Sequence, residues 1–290
     1  MRDFVGTAAE AIGRKFTFRT IEGFGGVPIH MGEAGPADAP PVILIHGLGA
    51  SSLAWVHQLT SDLTDSLRVI VYDLRGHGAS GKPWAAESYA RPHTTAGDLR
   101  AVAAAAGVQR FTAVAWSYGG HVVLDYIRSF GIDSLAKINL VGTIAALVER
   151  PATGPTNLEA LKASQAKSVS DNPLEVVQAN FGQADFITHK TVAPEMQALV
   201  EMMTNQLPTY AKRMLIGKIT QNDDLVARLT CPMLVSVGDQ DVTVPKVSVD
   251  TLIARLPAGR LSTYTGCGHS PFLEDPARFN TELRDFVLGA

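Results

Sequence analysis

The sequence is poor in cysteine, in long apolar runs and in excess charge. Only Cys231 and Cys267 occur among 290 residues, so no disulfide framework is expected. No apolar run approaches the roughly 18 residues that a membrane span needs. The first six residues also lack the apolar core of a signal peptide. These absences predict a cytoplasmic protein without a membrane partner.

The charge balance and the missing motifs exclude several classes of function. With 25 basic and 28 acidic residues the net charge is −3, which gives no reason to expect a nucleic-acid partner. The chain has no HExxH or HxHxDH metal pattern and no glycine-rich phosphate loop. We therefore expect no metal and no cofactor, and a small molecule as the binding partner. The sequence leaves the oligomeric state open.

Two blocks of the sequence alternate short β-branched runs with helical patterns. Such runs are typical of parallel strands that are buried on both faces, and the alternation favours an α/β fold. An antiparallel edge at 14–19 and 27–32 precedes them, and a helix at 95–106 separates the second run from the third. The predicted strands are 41–46, 68–73, 111–116, 136–141, 232–238 and 260–264, followed by a closing helix at 276–287.

Between these two blocks the pattern is helical. Helix starts are indicated at Thr156 and before Pro173, Pro194 and Pro208, because proline is well tolerated in a first helical turn. We expect a mostly parallel sheet flanked by helices, with a core of residues 1–145 and 230–290. Residues 146–229 are expected to form an inserted helical cap.

A serine lies between the third buried strand and the helical run that follows it. The segment Ala115-Trp116-Ser117-Tyr118-Gly119-Gly120 resembles the nucleophile elbow of the α/β-hydrolase family, with alanine at the first position of the usual G-x-S-x-G. There a strained turn exposes the serine above the sheet. A serine that merely caps a helix is the alternative interpretation.

Three further segments carry the same resemblance, each after a predicted strand. His46-Gly47-Leu48-Gly49 is similar to the family's oxyanion loop, which implies backbone donors at Leu48 and Tyr118. Residues 237–245 resemble the acid loop, whose register implies Asp241 rather than Asp239. Residues 266–276 resemble the histidine loop and imply His269 as base. The order serine, acid, histidine is that of this family.

The resemblance implies a serine hydrolase that cleaves a small to medium carboxylic ester through an acyl-enzyme. Candidate pocket residues are Trp116, His46, Met202 and Met203, although His46 is also expected to support its loop through hydrogen bonds. A lactonase, including one that acts on acyl-homoserine lactones, is the alternative. A cofactor-free perhydrolase or a small-molecule receptor is a further possibility on the same set of residues.

Overall fold

An eight-stranded, mostly parallel sheet organises the chain, in a computed structural model that describes residues 2–149, 158–216 and 220–289. The strand order is β1-β2-β4-β3-β5-β6-β7-β8, and only the β1–β2 and β2–β4 pairs are antiparallel. This architecture confirms the predicted α/β fold. The strands are β1 (Thr17–Glu22), β2 (Pro28–Ala34), β3 (Pro41–Ile45), β4 (Arg68–Tyr72), β5 (Phe111–Trp116), β6 (Leu135–Val141), β7 (Met233–Gly238) and β8 (Gly259–Tyr264).

Helices cover both faces of the sheet. One apolar cluster on one face includes Leu99, Val122 and Leu252, and the cluster on the other face includes Trp55 and Phe279. The α-helices are α1 (Arg2–Lys15), α2 (Val56–Leu59), α3 (His93–Ala105), α4 (Tyr118–Phe130), α5 (Leu158–Lys167), α6 (Pro173–Phe181), α7 (Ala184–Ile187), α8 (Pro194–Asn205), α9 (Thr209–Ile216), α10 (Lys246–Arg255), α11 (Pro271–Glu274) and α12 (Pro276–Leu288). Short 3₁₀ turns occupy Phe24–Gly26, Ser52–Trp55, Asp62–Asp65, Ala86–Tyr89 and Asp223–Arg228.

The amino-terminal edge differs from the prediction in one respect. Residues 14 and 15 end helix α1, so the first strand begins at Thr17 instead of Arg14. An acidic residue in the first turn and basic residues in the last suit the helix dipole. Phe4, Ala8 and Ile12 recur at a spacing of four and pack against the second apolar cluster. The expected antiparallel pairing of β1 with β2 is present.

The chain between β6 and β7 is helical wherever the structure describes it. Asn172 caps α6, because its side chain accepts the Leu174 N–H at 3.0 Å, and Pro173 takes the first helical position. Pro194 opens α8 in the same way. The start indicated at Thr156 lies outside the described residues. The boundaries at 146 and 229 stay a prediction.

Across the described ranges, no helix combines the length and the apolar character needed to cross a membrane.

Candidate active site

Ser117 occupies the sharp turn between β5 and α4. Its backbone φ of 52° and ψ of −113° lie in a region that L-residues rarely adopt, at a cost on the order of 1–3 kcal/mol. Its N–H donates to Val141 O at 2.9 Å, and its carbonyl accepts the Gly120 N–H at 3.1 Å. The Ser117 side chain makes no capping hydrogen bond to α4, so the interpretation of this residue as a helix cap is wrong.

Small residues around Ser117 let three backbone segments approach one another. A Cβ on Gly119 would lie 2.6 Å from the carbonyl oxygen of Ile45, at the end of β3. A Cβ on Gly47 would lie 3.1 Å from the Ser117 Cβ. Ala115 is fully buried beneath the turn. The segment Gly47-Leu48-Gly49 after β3 is called the glycine loop below. The end of β3, just before this loop, is therefore in direct contact with the turn that carries the serine.

Asp241 and His269 form a buried pair across two neighbouring loops. His269 Nδ1 lies 2.8 Å from Asp241 Oδ2. Asp241 Oδ1 accepts the N–H groups of Thr243 at 2.7 Å and Val244 at 3.1 Å. Burial raises the pKa of Asp241, but the charge and hydrogen bond of His269 and the bonds from Thr243 outweigh it and leave that pKa below its usual value. Asp241 is therefore ionised at neutral pH.

The Thr243 hydroxyl helps to set the tautomer of His269. It donates to Asp241 Oδ1 at 2.8 Å, so it accepts from His269 Nδ1, which is 2.6 Å away. The Nδ1 proton then lies between two acceptors, which assigns the lone pair to Nε2. An imidazole in this tautomer can accept a proton at Nε2, as a general base requires.

The loop that carries His269 contacts Trp116, Gly142 and Asp239. Trp116 Nε1 donates to the His269 carbonyl at 3.0 Å. A Cβ on Gly142 would lie 2.5 Å from that carbonyl oxygen and 3.0 Å from His269 Nδ1, so β6 ends in close contact with the imidazole. Asp239 has a different partner, because its Oδ1 accepts the Gly266 N–H at 2.8 Å and ties the acid loop to the histidine loop.

The glycine loop after β3 and the first residue of α4 offer backbone donors to the same space. Tyr118 opens α4, where the first amides have no acceptor within the helix. Leu48 lies between two glycines and, with Tyr118, lines the cavity that Ser117 and His269 also line. These are the two positions that the resemblance implies for an oxyanion hole.

Two buried histidines hold the glycine loop from underneath. His77 Nε2 accepts the Gly49 N–H at 3.1 Å, and His46 Nε2 accepts the Leu74 N–H at 2.9 Å. Burial lowers the pKa of His46, and burial, with a smaller contribution from the neighbouring His46 ring, lowers the pKa of His77 to about 3. Both rings are therefore neutral at physiological pH and act as hydrogen-bond acceptors.

Comparisons with known proteins identify the family of this chain. The family model described as the alpha/beta hydrolase family matches residues 42–282. The chain belongs to the alpha/beta hydrolase family. The esterase RhEst1 from Rhodococcus sp. ECU1013 is 29% identical, with a TM-score of 0.79 over 93% of this chain and 98% of that one.

Two further comparisons extend the likeness. The bifunctional esterase/perhydrolase DCH of Acinetobacter calcoaceticus is 26% identical over 282 residues, which are 90% of this chain and 96% of that protein. The esterase EaEST from Exiguobacterium antarcticum has a TM-score of 0.81 at 20% identity, over 93% of this chain and 99% of that one, and shows the shared fold alone. The esterase relatives support ester hydrolysis as the general activity of this hydrolase.

A cavity of about 680 Å³ opens above Ser117. This volume lies within the roughly 300–1,000 Å³ that is usual for small-molecule sites. Trp116 is among the residues that line the cavity. The helical segment between β6 and β7 contributes Leu161, Phe186 and Lys212. The cavity of the hydrolase is therefore lined by residues at the edge of the sheet and by residues of the helices between β6 and β7.

Three of the predicted pocket residues lie elsewhere. Met202 is 57% exposed, whereas Met203 is 3% exposed and packs in the apolar cluster with Met196 and Val200. Thr204, one residue further along α8, lines the cavity in their place. His46 is fully buried below the glycine loop. The structure thus corrects the assignment of Met202, Met203 and His46 to the pocket.

The sequence analysis also missed polar residues of the cavity. Thr243 follows the acid by two residues, and an Asp-x-Thr turn is a local signal that could have indicated it. Lys212 gave no signal, because a lysine on an amphipathic helix is normally taken to face solvent. Other missed residues that line the cavity are Thr143, Ser168, Gln183 and Gln221.

Proposed function

We propose that this hydrolase cleaves small to medium carboxylic esters through an acyl-enzyme formed on Ser117. The observation that carries the proposal is the strained serine, which lines the same cavity as an imidazole bonded to a buried carboxylate at 2.8 Å. A nucleophile, a base and an orienting acid are the groups that acyl transfer from an ester needs.

In the proposed reaction, His269 Nε2 takes the Ser117 hydroxyl proton as the serine oxygen attacks the ester carbonyl. The new imidazolium is stabilised by Asp241, which is ionised and keeps the Nδ1 proton in place. His269 then gives its proton to the leaving alcohol. A water molecule, activated by the same Nε2, hydrolyses the acyl-enzyme and releases the acid.

The developing oxyanion is stabilised by the amides of Leu48 and Tyr118. Each such donor contributes on the order of 10²–10³ in rate in enzymes that have been dissected. The bonds that Gly49 N–H donates to His77 and Leu74 N–H donates to His46 support this role, because they hold the loop before substrate arrives. Donors that are already oriented need no rearrangement at the moment of reaction.

The direct test is turnover of p-nitrophenyl esters of graded acyl length, followed by absorbance, in the wild type and in Ser117→Ala. We expect serine-dependent cleavage and a loss of about 10⁶-fold in the variant. Ser129→Ala, near the far end of the same helix α4, is the matched control and keeps wild-type rates. A fluorophosphonate probe should modify Ser117, as read by mass spectrometry of the peptide.

Near-normal ester turnover by Ser117→Ala would contradict the assignment. Two additional substrates separate the alternatives that share this mechanism. Faster opening of acyl-homoserine lactones than of linear esters, measured by proton release, would make the protein a lactonase. Hydrogen peroxide is included because one relative is an esterase/perhydrolase, and peracid formation would identify peroxide as an acceptor of the acyl group.

A further inference from the structure

Lys212 is a buried ammonium group in the wall of the catalytic cavity. It lies on α9, is 6% exposed, and lines the cavity together with Ser117 and His269. Its Nζ donates to Asn180 Oδ1 at 3.2 Å. Within the described ranges, no carboxylate pairs with Nζ. An ammonium has three N–H donors, so the protein leaves most of them to a ligand or to water.

A chain of side-chain hydrogen bonds fixes the position of the Lys212 ammonium. Asn180 is itself buried, and its Nδ2 donates to Asn205 Oδ1 at 3.1 Å, which turns the amide oxygen toward Lys212. Three helices, α6, α8 and α9, therefore contribute to holding one ammonium group. Burial lowers the pKa of Lys212 to about 8, so the group is still mostly protonated at neutral pH.

Lys212 lines the same cavity as the glycine loop. Its charge contributes to lowering the pKa of His77, the residue that accepts the Gly49 N–H. Among the described residues that line the cavity, the side chains of Lys162 and Lys212 are ammonium groups and Glu149 is a carboxylate. The cavity thus offers a cationic group in the wall of the space that the glycine loop and Ser117 also line.

We propose that Lys212 binds a carboxylate carried by the substrate, so that the preferred esters bear a free acid group, as half-esters of dicarboxylic acids do. The inference rests on the proposed esterase function and deepens it. A buried, unpaired charge destabilises a fold unless it is matched, and a substrate carboxylate supplies the missing counter-ion. A charge-assisted hydrogen bond also selects against neutral esters of the same length.

The test compares kcat/KM for monoethyl esters of dicarboxylic acids of four to eight carbons with that for ethyl hexanoate, by proton release. The wild type should prefer the best half-ester by about 10- to 100-fold, the range expected for one charge-assisted bond. Lys212→Met should abolish that preference. Lys167→Met, the same change on an exposed lysine of α5 outside the cavity wall, should preserve it.

A second pair of substrates locates the carboxylate. In 4-acetoxybutyrate the acid group lies on the alcohol side of the ester, and its methyl ester is the neutral match. A Lys212-dependent preference for the anionic member of either pair supports the proposal and identifies the side. Equal use of anionic and neutral members in both pairs by the wild type, or a preference that survives in Lys212→Met, overturns it.

Two further measurements do not depend on turnover or on whether Lys212→Met folds normally. The first is the binding of a dicarboxylate, and the second uses a variant at Asn180. Adipate should bind to Ser117→Ala in calorimetry and should lose at least about tenfold in affinity in Ser117→Ala/Lys212→Met. Asn180→Asp, which gives Lys212 a carboxylate partner within the protein, should weaken the half-ester preference in the same direction. If neutral esters are turned over without Ser117, the proposed function fails; if turnover needs Ser117 but ignores substrate charge, only the present inference fails.

Discussion

The carboxyl-terminal edge of the sheet and the helices between β6 and β7 contribute to one cavity in different ways. At the sheet edge, Asp241 and His269 each have several hydrogen-bond partners, and the backbone of Ser117 is fixed on both sides. The helices contribute Lys212 with one amide acceptor and Leu161 and Phe186 through packing. In the proposed function, the sheet edge supplies the reacting groups and the helices supply the part of the cavity that contacts the rest of the substrate.

The two buried charges show the contrast most clearly. Asp241 is surrounded by donors, and its pKa lies below its usual value despite burial. The pKa of Lys212 is also lowered, by burial. For a lysine, a lowered pKa means that the folded protein favours the neutral amine over the ammonium. The folded protein therefore stabilises the Asp241 carboxylate and destabilises the Lys212 ammonium. Substitution of Asp241 should therefore impair the protein, whereas substitution of Lys212 by an apolar residue should stabilise the fold.

The largest expected effect would come from removing the acid at the sheet edge. Asp241→Asn should lower kcat by about 10⁴-fold for every ester, because an amide cannot hold the Nδ1 proton or stabilise the imidazolium. Steady-state kinetics on neutral and anionic esters checks this. Asp239→Asn is the control, since an asparagine oxygen can still accept the Gly266 N–H. A larger loss at position 239 than at 241 would reverse the assignment.

A smaller but still uniform effect is expected below the glycine loop. His77→Leu removes the acceptor of the Gly49 N–H and loosens the loop that carries Leu48. We expect kcat to fall by about 10- to 100-fold for all esters, by analogy with small misplacements in other enzymes. The shape of the pH–rate profile should not change, because His77 moves no proton. His93→Leu, at an exposed histidine, is the control and should leave kcat unchanged. A shifted pH–rate profile in His77→Leu would contradict the prediction and indicate that His77 transfers a proton.

The same histidine predicts how stability depends on pH. The folded pKa of about 3 lies below the unfolded value, so between about pH 6.5 and 3 only the unfolded state takes up the proton, and stability falls as the pH falls. His77→Gln keeps an acceptor for Gly49 but cannot titrate. Between pH 7.5 and 5 the wild type should lose about 2 kcal/mol more than this variant in urea unfolding. Equal losses would show that the buried ring is not neutral.

The smallest effect is expected in the helices, and it is a gain in stability instead of a loss. Lys212→Met should raise the free energy of unfolding by about 1 kcal/mol at pH 7, because an apolar side chain of similar length replaces an unpaired buried charge. Lys167→Met should stay within about 0.5 kcal/mol of the wild type. Thermal and urea unfolding measure both. A destabilised Lys212→Met would mean that the ammonium holds the helices together.

Much of the fold and the segments of the candidate site could be predicted, because their signals are local. Strands β3 to β7 are short runs that contain β-branched residues, and each candidate catalytic segment directly follows one of the strands. Parallel strands bring their carboxyl ends to one edge, so residues distant in sequence had to meet there. Helix α1 was missed although Phe4, Ala8 and Ile12 recur at helical spacing, because these few apolar residues are set among polar, exposed ones.

The sequence by itself determined the architecture, the chain order of Ser117, Asp241 and His269, and the loops that carry them. Only the tertiary structure decided which side chains of the inserted helices face the cavity. Met203 and Thr204 are neighbours in sequence, yet one packs in the apolar cluster and the other lines the cavity, since successive residues on a helix point about 100° apart. Lys212 likewise depends on how α6, α8 and α9 pack, which no local motif encodes.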